Sequence, residues 1–437
     1  MTQMEAALSG KITDEMRLVA EKEQRSPEEI RQLVAAGRVV IPANRNHVNL
    51  DPEGIGEGLR VKVNANIGTS PLASDLATEL CKIRMALDAG ADAMMDLSTH
   101  GDLHALRQQL LENCPKPVGS VPIYEATIAV MERGQPIAEV SADDIFRVIE
   151  GHARQGVDFG TVHCGVTRAA LQALREQGRT LGMVSRGGAF LKRWVEEREE
   201  ENPLYAQFDR LLEIARTYDL TLSLGDGLRP GAVADGTDRP QIEELVTIGE
   251  LVRRARKAGV QAMVEGPGHL RLDQVAANVA LEKSICDGAP FYVLGPLVTD
   301  VATGYDHIAG AIGGAVAALA GADFLCYVTP AEHLGLPTPE DVREGVIAGR
   351  IAAHVADLAR GNAAAQEWDR EISTARGALD WEKQTALALD PRKAREMLER
   401  HTPQPGPGGC TMCGEYCAYR IARESSPRKS SPEREPR

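Results

Sequence analysis

Three of the eight cysteines of this 437-residue chain lie close together near its end, in the stretch CTMCGEYC at residues 410–417. A zinc site needs four ligands, so His401 or a more distant residue would have to complete Cys410, Cys413 and Cys417. The same thiolates could instead hold a [4Fe–4S] cluster with one iron that lacks a protein ligand, and that iron can bind S-adenosylmethionine and pass it an electron. The spacing alone leaves both interpretations open.

A second group of reactive side chains follows the apolar segments that predict strands. It consists of Asn64, Asn66, Asp96, Tyr124, His163, Ser185, Arg186, Asp226, Arg229, Glu265, His269, Tyr292 and His333. A polar residue at the end of one strand is ordinary loop chemistry. A polar residue after nearly every strand instead predicts that the strand ends converge on one site.

Two glycine-rich turns in this group, SRGGAF at 185–190 and GDGLRPG at 225–231, each combine backbone N–H groups with an arginine. Such turns can bind an anion, although each alone could be a simple glycine turn. Their joint presence favours a phosphorylated substrate. In EGPGH, the glycines and proline exclude the helical zinc motif, but His269 could meet His333 or His307 and bind a divalent metal.

The elements that must position these residues alternate between strand and helix. We predict strands in the segments VKVNANIG, DAMMDLST, VGSVPIY, FGTVHCGV, GMVSRGG, LTLSLGDG, AMVEGPGH, FYVLGP and DFLCYVTP, and helices at 167–177, 239–258, 271–285 and 338–360. Such alternation predicts a parallel sheet covered by helices. The fold class is therefore α/β, with a closed (β/α)8 barrel preferred over an open doubly wound sheet. No Gly-x-Gly-x-x-Gly motif supports dinucleotide binding.

The composition and the remaining segments exclude some classes of function and partner. A formal charge of −14 argues against nucleic acid or an anionic membrane as the main partner. We found no long apolar run and no signal-like start, so we expect a cytoplasmic protein. Two short helices, at ITDEMRLVAEKE and SPEEIRQLVAAG, and a short strand precede the alternating segments. The isolated cysteines, Cys81, Cys114, Cys164, Cys286 and Cys326, are interpreted as small core residues.

The ordered series of motifs resembles the phosphomethylpyrimidine synthase family of radical S-adenosylmethionine enzymes. The resemblance runs from about residue 55 to residue 420 and includes VNANIGTS, MMDLST, VPIYEA, TVHCGV, MVSRGG, LSLGDGLRPG, EGPGH, APFYVLGPL, GYDH, LCYVTPAEHLGLP and the cysteine segment. It implies a (β/α)8 barrel at 59–400, after a small helical and extended region at 1–58. A mobile cluster-binding tail at 401–422 and a disordered end at 423–437 would follow.

The resemblance also implies a reaction and its participants. A 5′-deoxyadenosyl radical would rearrange 5-aminoimidazole ribotide to 4-amino-5-hydroxymethyl-2-methylpyrimidine phosphate, as a carbon–carbon lyase of thiamine biosynthesis. The family implies a homodimer, in which the tail reaches the partner's site, and a low-potential electron donor such as flavodoxin or ferredoxin.

The implied site residues follow motif by motif. The substrate would contact Asn66, Met95, Tyr124, His163, Ser185, Arg186, Gly187, Asp226, Gly227, Leu228, Arg229, Glu265 and Tyr292, of which His163, Glu265 and Tyr292 would be catalytic. Zinc or another divalent metal would bind His269 and His333. Cys410, Cys413 and Cys417 would hold the [4Fe–4S] cluster that binds S-adenosylmethionine.

Some positions depart from the family pattern, and they bear on the product. They are His100, Leu270–Arg271 and Thr303, where the family usually has Gly, Val–Pro and Pro. The alternative within the family's chemistry is 5-hydroxybenzimidazole synthase of anaerobic cobamide biosynthesis, which uses the same substrate. An alternative from another class is a metal-dependent barrel hydrolase whose tail is a structural zinc site.

Overall fold

A computed structural model describes residues 1–73, 75–402 and 409–424 of the chain. It divides into two compact units, Met1–Arg360 and Gly361–Arg437. The predicted limits at 58 and 400 stay predictions, as does the mobility of the tail. The segment predicted to be disordered lies outside the described residues from residue 425 onward.

The first unit is built around a closed barrel of eight parallel strands. The strands are β3 (Lys62–Ile67), β4 (Ala93–Asp96), β5 (Val118–Ser120), β6 (Phe159–Val162), β7 (Thr221–Leu224), β8 (Ala262–Gly266), β9 (Phe291–Leu294) and β10 (Phe324–Cys326). The barrel closes where β10 pairs with β3, with Leu325 opposite Val63. The predicted (β/α)8 barrel is confirmed, and the open sheet is wrong.

The helices of the first unit cover the barrel and form the N-terminal region. They are α1 (Gln3–Leu8), α2 (Asp14–Lys22), α3 (Pro27–Ala35), α4 (Leu76–Asp88), α5 (Leu103–Asn113), α6 (Pro122–Met131), α7 (Ala142–Gln155), α8 (Arg168–Gln177), α9 (Arg186–Arg198), α10 (Pro203–Ala206), α11 (Phe208–Tyr218), α12 (Arg239–Lys257), α13 (Leu272–Ile285), α14 (Asp306–Ala320) and α15 (Pro339–Ala359). The second unit contains α16 (Ala363–Ala378), α17 (Trp381–Ala386), α18 (Pro391–His401) and α19 (Ala418–Glu424). Among the described helices, none combines the length and apolar character that a bilayer crossing requires.

The N-terminal region has one more helix than its sequence predicts. Helix α1 begins with a capping box in which Thr2 and Glu5 bond reciprocally to each other's backbone. Helix α3 has Ser26 as its N-cap, as predicted. The short antiparallel pair β1 (Val39–Val40) and β2 (Ile55–Gly56) completes this region. Its own small core includes Met16 and Ile30.

The segment GMVSRGG is not a ninth strand, and that prediction is wrong. Before it, the backbone N–H groups of Thr180 and Leu181 bond to the carboxylate of Asp235 instead of a neighbouring strand. Gly182 adopts a left-handed φ of 62°, which interrupts an extended conformation. Ser185 then caps α9, so its glycines belong to the first turn of a helix.

Aromatic side chains fill the interior of the barrel. The rings of Phe159 and Phe324 meet edge to face at 6.3 Å, and Tyr292 lies 4.3 Å from Phe324. All three side chains are buried. Polar side chains at the carboxyl ends of the strands can then line a pocket above this packed interior.

Candidate active site

Side chains from the carboxyl ends of the barrel strands line a pocket with a cavity volume of about 90 Å³. The predicted substrate residues that line it are Asn66, Met95, Tyr124, His163, Asp226, Arg229, Glu265 and Tyr292. Thr161 and Cys326 also line the pocket. The barrel therefore brings together residues that are more than two hundred positions apart in the chain.

His163 is held as a neutral imidazole. Its Nε2 lies 3.1 Å from Ser185 Oγ, which also accepts the N–H of Gly188 at 3.2 Å. The hydroxyl is therefore free to donate to Nε2, which leaves the ring hydrogen on Nδ1. Burial and the charge of Arg229 lower the pKa of His163 to about 3. Nδ1 is buried and has no hydrogen-bond partner among the described residues.

Gly187 is needed to accommodate that imidazole. A Cβ at this position would lie 2.3 Å from Cε1 of His163, which real structures do not show. Ser185 and Gly187 therefore lie behind His163, not on the pocket wall. Ser185 and Gly187, both predicted to contact the substrate, instead contact the imidazole ring of His163.

Asp226 and the half-buried Arg229 form an ion-pair contact on the turn after β7. Arg229 Nη1 lies 3.2 Å from Asp226 Oδ1. Burial, reinforced by Glu265, raises the pKa of Asp226 to about 8 even though Arg229 opposes this shift. Asp226 Oδ2 has no partner within the described part of the chain. At neutral pH the pair therefore combines a protonated acid with a cation.

Glu265 receives two short hydrogen bonds on one oxygen. Thr161 Oγ1 and Ser223 Oγ each donate to Oε1 at 2.6 Å. Burial nevertheless raises the pKa of Glu265 above its ordinary value. Sequence reasoning missed Thr161 and Ser223, although their alternation along β6 and β7 places them on the inward face.

Tyr292 belongs to a chain of hydrogen bonds across the pocket floor. Asn64 Nδ2 donates to the Tyr292 oxygen and to Asn66 Oδ1, both at 2.8 Å. Asn66 Nδ2 in turn donates to Cys326 Sγ at 3.1 Å. Burial raises the pKa of the Cys326 thiol to about 12 and that of Tyr292 well above its ordinary value. Cys326 is thus more than the core residue its sequence context suggests, because it also faces the pocket.

Arg186 marks an adjoining pocket. Its guanidinium carbon lies 5.0 Å from the centroid of the Tyr124 ring, a cation–π contact. It lines the second pocket with Lys82, Glu332 and His333, among others. Asn66 and Leu97 line both pockets, so the two pockets are adjacent.

Gly227 and Leu228 do not line either pocket described above. Leu228 is fully buried, and its N–H donates to Glu244 Oε2 at 2.8 Å. Burial raises the pKa of Glu244 well above its ordinary value. Glu244 is a buried acid that no sequence motif indicated.

His269 and His333 come together as the sequence predicts, with ring centroids 5.2 Å apart. Each Nδ1 bonds to a carboxylate: His269 to Asp300 at 2.7 Å and His333 to Asp306 at 3.0 Å. The Nε2 atom of each ring takes no part in these two hydrogen bonds. His307, the other candidate, stacks on Tyr305 at 6.4 Å.

The cysteines of the second unit share one turn. Gly414 N donates to the carbonyl of Cys410 at 2.9 Å, and Tyr416 N to that of Cys413 at 3.0 Å. All three are free thiols; Cys413 is exposed, Cys410 half-buried and Cys417 buried. Across residues 1–73, 75–402 and 409–424, no three His, Cys, Asp or Glu side chains form a group that could hold a metal ion.

The chain matches a protein family and named relatives over nearly its whole length. The model of the Radical SAM ThiC family matches residues 2–424. The chain is 61% identical to a phosphomethylpyrimidine synthase from Moorella thermoacetica, over 97% of this chain and 98% of that relative. It is 60% identical to one from Thermus thermophilus, over 96% of each chain.

Proposed function

The chain belongs to the Radical SAM ThiC family, and from that premise we propose that it is a phosphomethylpyrimidine synthase of thiamine biosynthesis. Its substrate would be 5-aminoimidazole ribotide and its product 4-amino-5-hydroxymethyl-2-methylpyrimidine phosphate. The observation that carries the proposal is the pocket in which Asn66, His163, Arg229, Glu265 and Tyr292 converge.

Arginines at two sides of this space would bind the phosphate. Arg229 lines the first pocket, and Arg186 lines the second at the N-terminus of the thirteen-residue helix α9. A guanidinium and helical N–H groups are a common phosphate site. The neutral Asp226 would donate a hydrogen bond instead of repelling the anion. Holding the phosphate would keep the imidazole in register for reaction.

His163, Glu265 and Tyr292 would contact the imidazole ring of the substrate. His163 would contact the substrate as a neutral imidazole, because its low pKa excludes an imidazolium at neutral pH. Glu265 would hold or accept a proton at Oε2, since Oε1 is committed to Thr161 and Ser223. Tyr292 would donate its phenolic hydrogen to the substrate. A carboxyl whose pKa is raised toward neutrality is suited to general acid–base work.

Family membership implies an iron–sulfur cluster and S-adenosylmethionine, and the cysteine turn supplies three thiols, the ligand type such a cluster uses. Three free thiols within one turn provide the ligand set for a cluster with one iron left open. We assign Cys410, Cys413 and Cys417 to it. When bound, the cluster would supply the electron that splits S-adenosylmethionine. The chain would act as a homodimer and receive electrons from a flavodoxin or ferredoxin.

The histidine pair fits a divalent metal such as zinc. A metal-binding histidine usually donates its other ring nitrogen to a carboxylate, and both His269 and His333 do so. Nε2 of each ring would then be the ligand. Two protein ligands are one fewer than catalytic zinc sites commonly have, so water or substrate would complete the coordination.

The residues that depart from the family pattern are not themselves among the pocket-lining residues. His100 and Thr303 are exposed, and Arg271 is an exposed residue paired with Asp273 before α13. Leu270 is fully buried. None of them lines the two pockets described for this barrel, which supports the pyrimidine product over hydroxybenzimidazole.

The test is an anaerobic incubation of cluster-reconstituted protein with the ribotide, S-adenosylmethionine and dithionite, read by mass spectrometry. We expect 5′-deoxyadenosine and the pyrimidine phosphate. Hydroxybenzimidazole would replace the proposed product with that of the cobamide enzyme. If a protein shown to contain its cluster forms no deoxyadenosine, the radical reaction is excluded and the metal-dependent hydrolase becomes the better account.

A further inference from the structure

The turn that presents Asp226 and Arg229 to the pocket is held from both sides at one residue, Leu228. Leu228 lies in the middle of the turn and is fully buried. Its N–H donates to the carboxyl group of Glu244, and its carbonyl accepts from the guanidinium of Arg179; both partners lie outside the turn. Neither of these two residues, Glu244 and Arg179, lines the pocket.

Glu244 holds the N–H side of Leu228. It lies on α12, is only 2% exposed, and accepts this N–H on Oε2 at 2.8 Å. Gly165 and Gly227, which lie beside Glu244 in the fold, leave room for its side chain. A Cβ on Gly165 would lie 2.6 Å from Glu244 Cγ, and one on Gly227 would lie 3.2 Å from Oε1.

Arg179 holds the carbonyl side. Its side chain has no exposed surface, and Nη2 donates to the carbonyl of Leu228 at 2.6 Å. Nη1 donates to the carbonyl of Arg229 at 3.3 Å. Asp238 fixes the guanidinium with two bonds of 2.7 Å and is also the N-cap of α12. One helix therefore supports both sides of the turn.

We propose that Arg179 and Glu244, here called the Leu228 clamp, are positioning residues that set the orientation of Arg229 toward the phosphate of the substrate. The inference rests on the proposed function only for the identity of that substrate. Without the clamp, the backbone groups of Leu228 would lose their buried partners and the turn would relax. A residue that merely stabilised the fold would not act specifically through Arg229.

The first test measures the turn without ligand, by hydrogen–deuterium exchange of peptides spanning residue 228 in the full chain. Glu244→Leu and Arg179→Met are expected to speed exchange there by about tenfold or more. Glu244→Gln keeps an acceptor and should recover most of the loss. Glu250→Leu and Arg239→Met, exposed residues of the same helix, are the controls. Unchanged exchange in both clamp variants would overturn the proposal.

The second test is a double-mutant cycle on ribotide binding, measured by calorimetry. Glu244→Leu should weaken binding about tenfold in the natural background and less than about twofold when Arg229→Gln is also present. Equal losses in both backgrounds would overturn the role in positioning Arg229. If Arg179→Met lowers the unfolding temperature, Arg179→Lys replaces it. A natural chain that fails to bind the ribotide would contradict the proposed function, while exchange at residue 228 would still decide whether the clamp exists.

Discussion

Individual side chains in the pocket differ in protonation because each has a different set of neighbours. Glu265 is the one carboxyl of the pocket held by two hydroxyl donors, Thr161 and Ser223, within the described residues. We expect Glu265→Gln to keep these bonds and the fold but to lower turnover by about a hundredfold or more. Glu250→Gln is the matched control on an exposed surface. Turnover near that of the natural chain would contradict the acid–base role.

Asp226 gives a second prediction at the scale of the residue, in the pH dependence of binding. Below its raised pKa of about 8, Asp226 is protonated and leaves the charge of Arg229 available to phosphate. Above it, the carboxylate competes for Arg229. Ribotide affinity should therefore fall between about pH 7 and about pH 9, a range in which the phosphate itself stays dianionic. Asp226→Asn should remove this fall, and an identical fall in both proteins would contradict the assignment.

The raised pKa of Asp226 also makes the free energy of unfolding decrease as pH rises. The folded chain keeps the Asp226 proton up to about pH 8, whereas an unfolded chain releases it near pH 4. The folded state thus binds more protons across this window, so this group lowers stability as pH rises. Thermal unfolding of Asp226→Asn should show a smaller loss between these values than the natural chain. A steeper loss in the variant would be the opposite result.

At the scale of the element, helix α9 approaches His163 through a glycine. Gly187→Ala would place a methyl group 2.3 Å from the imidazole and should weaken ribotide binding by about tenfold or more. Gly151→Ala, in the open space on α7, is the matched control and should stabilise that helix by about 0.5–1 kcal/mol. Calorimetric binding and thermal unfolding check the two variants. Undiminished binding by Gly187→Ala would contradict the close approach.

The elements also show what the sequence could predict. Alternating strands and helices predict the closed barrel, and a barrel gathers strand ends, so Asn66, His163 and Tyr292 could be assigned to one site. The segment around Gly182 reads like a strand because it is short and partly apolar. Its neighbours Thr180 and Leu181 instead bond to Asp235, fifty-odd residues away, and such a partner has no local signal. The same holds for Glu244 and for the carboxylates behind His269 and His333.

At the scale of the whole molecule, the barrel and the cysteine turn lie in separate units, and the proposed activity would use both. Reconstituted natural protein should contain about four iron atoms per chain. Cys413→Ala should lose most of this iron and the brown colour, whereas Cys81→Ala, a lone cysteine on α4, should keep both. Iron and sulfide assays with absorption spectra check this. Full iron content in Cys413→Ala would contradict the ligand assignment.

The measurement that tests the central claim most directly follows hydrogen from substrate to cofactor. The natural protein, with its cluster, is given ribotide deuterated on the ribose, together with S-adenosylmethionine and a reductant. If the pocket orients the ribotide for radical attack, 5′-deoxyadenosine should carry deuterium and the pyrimidine phosphate should accumulate with it. Deoxyadenosine without deuterium, formed equally in the absence of ribotide and with no pyrimidine product, would contradict the account.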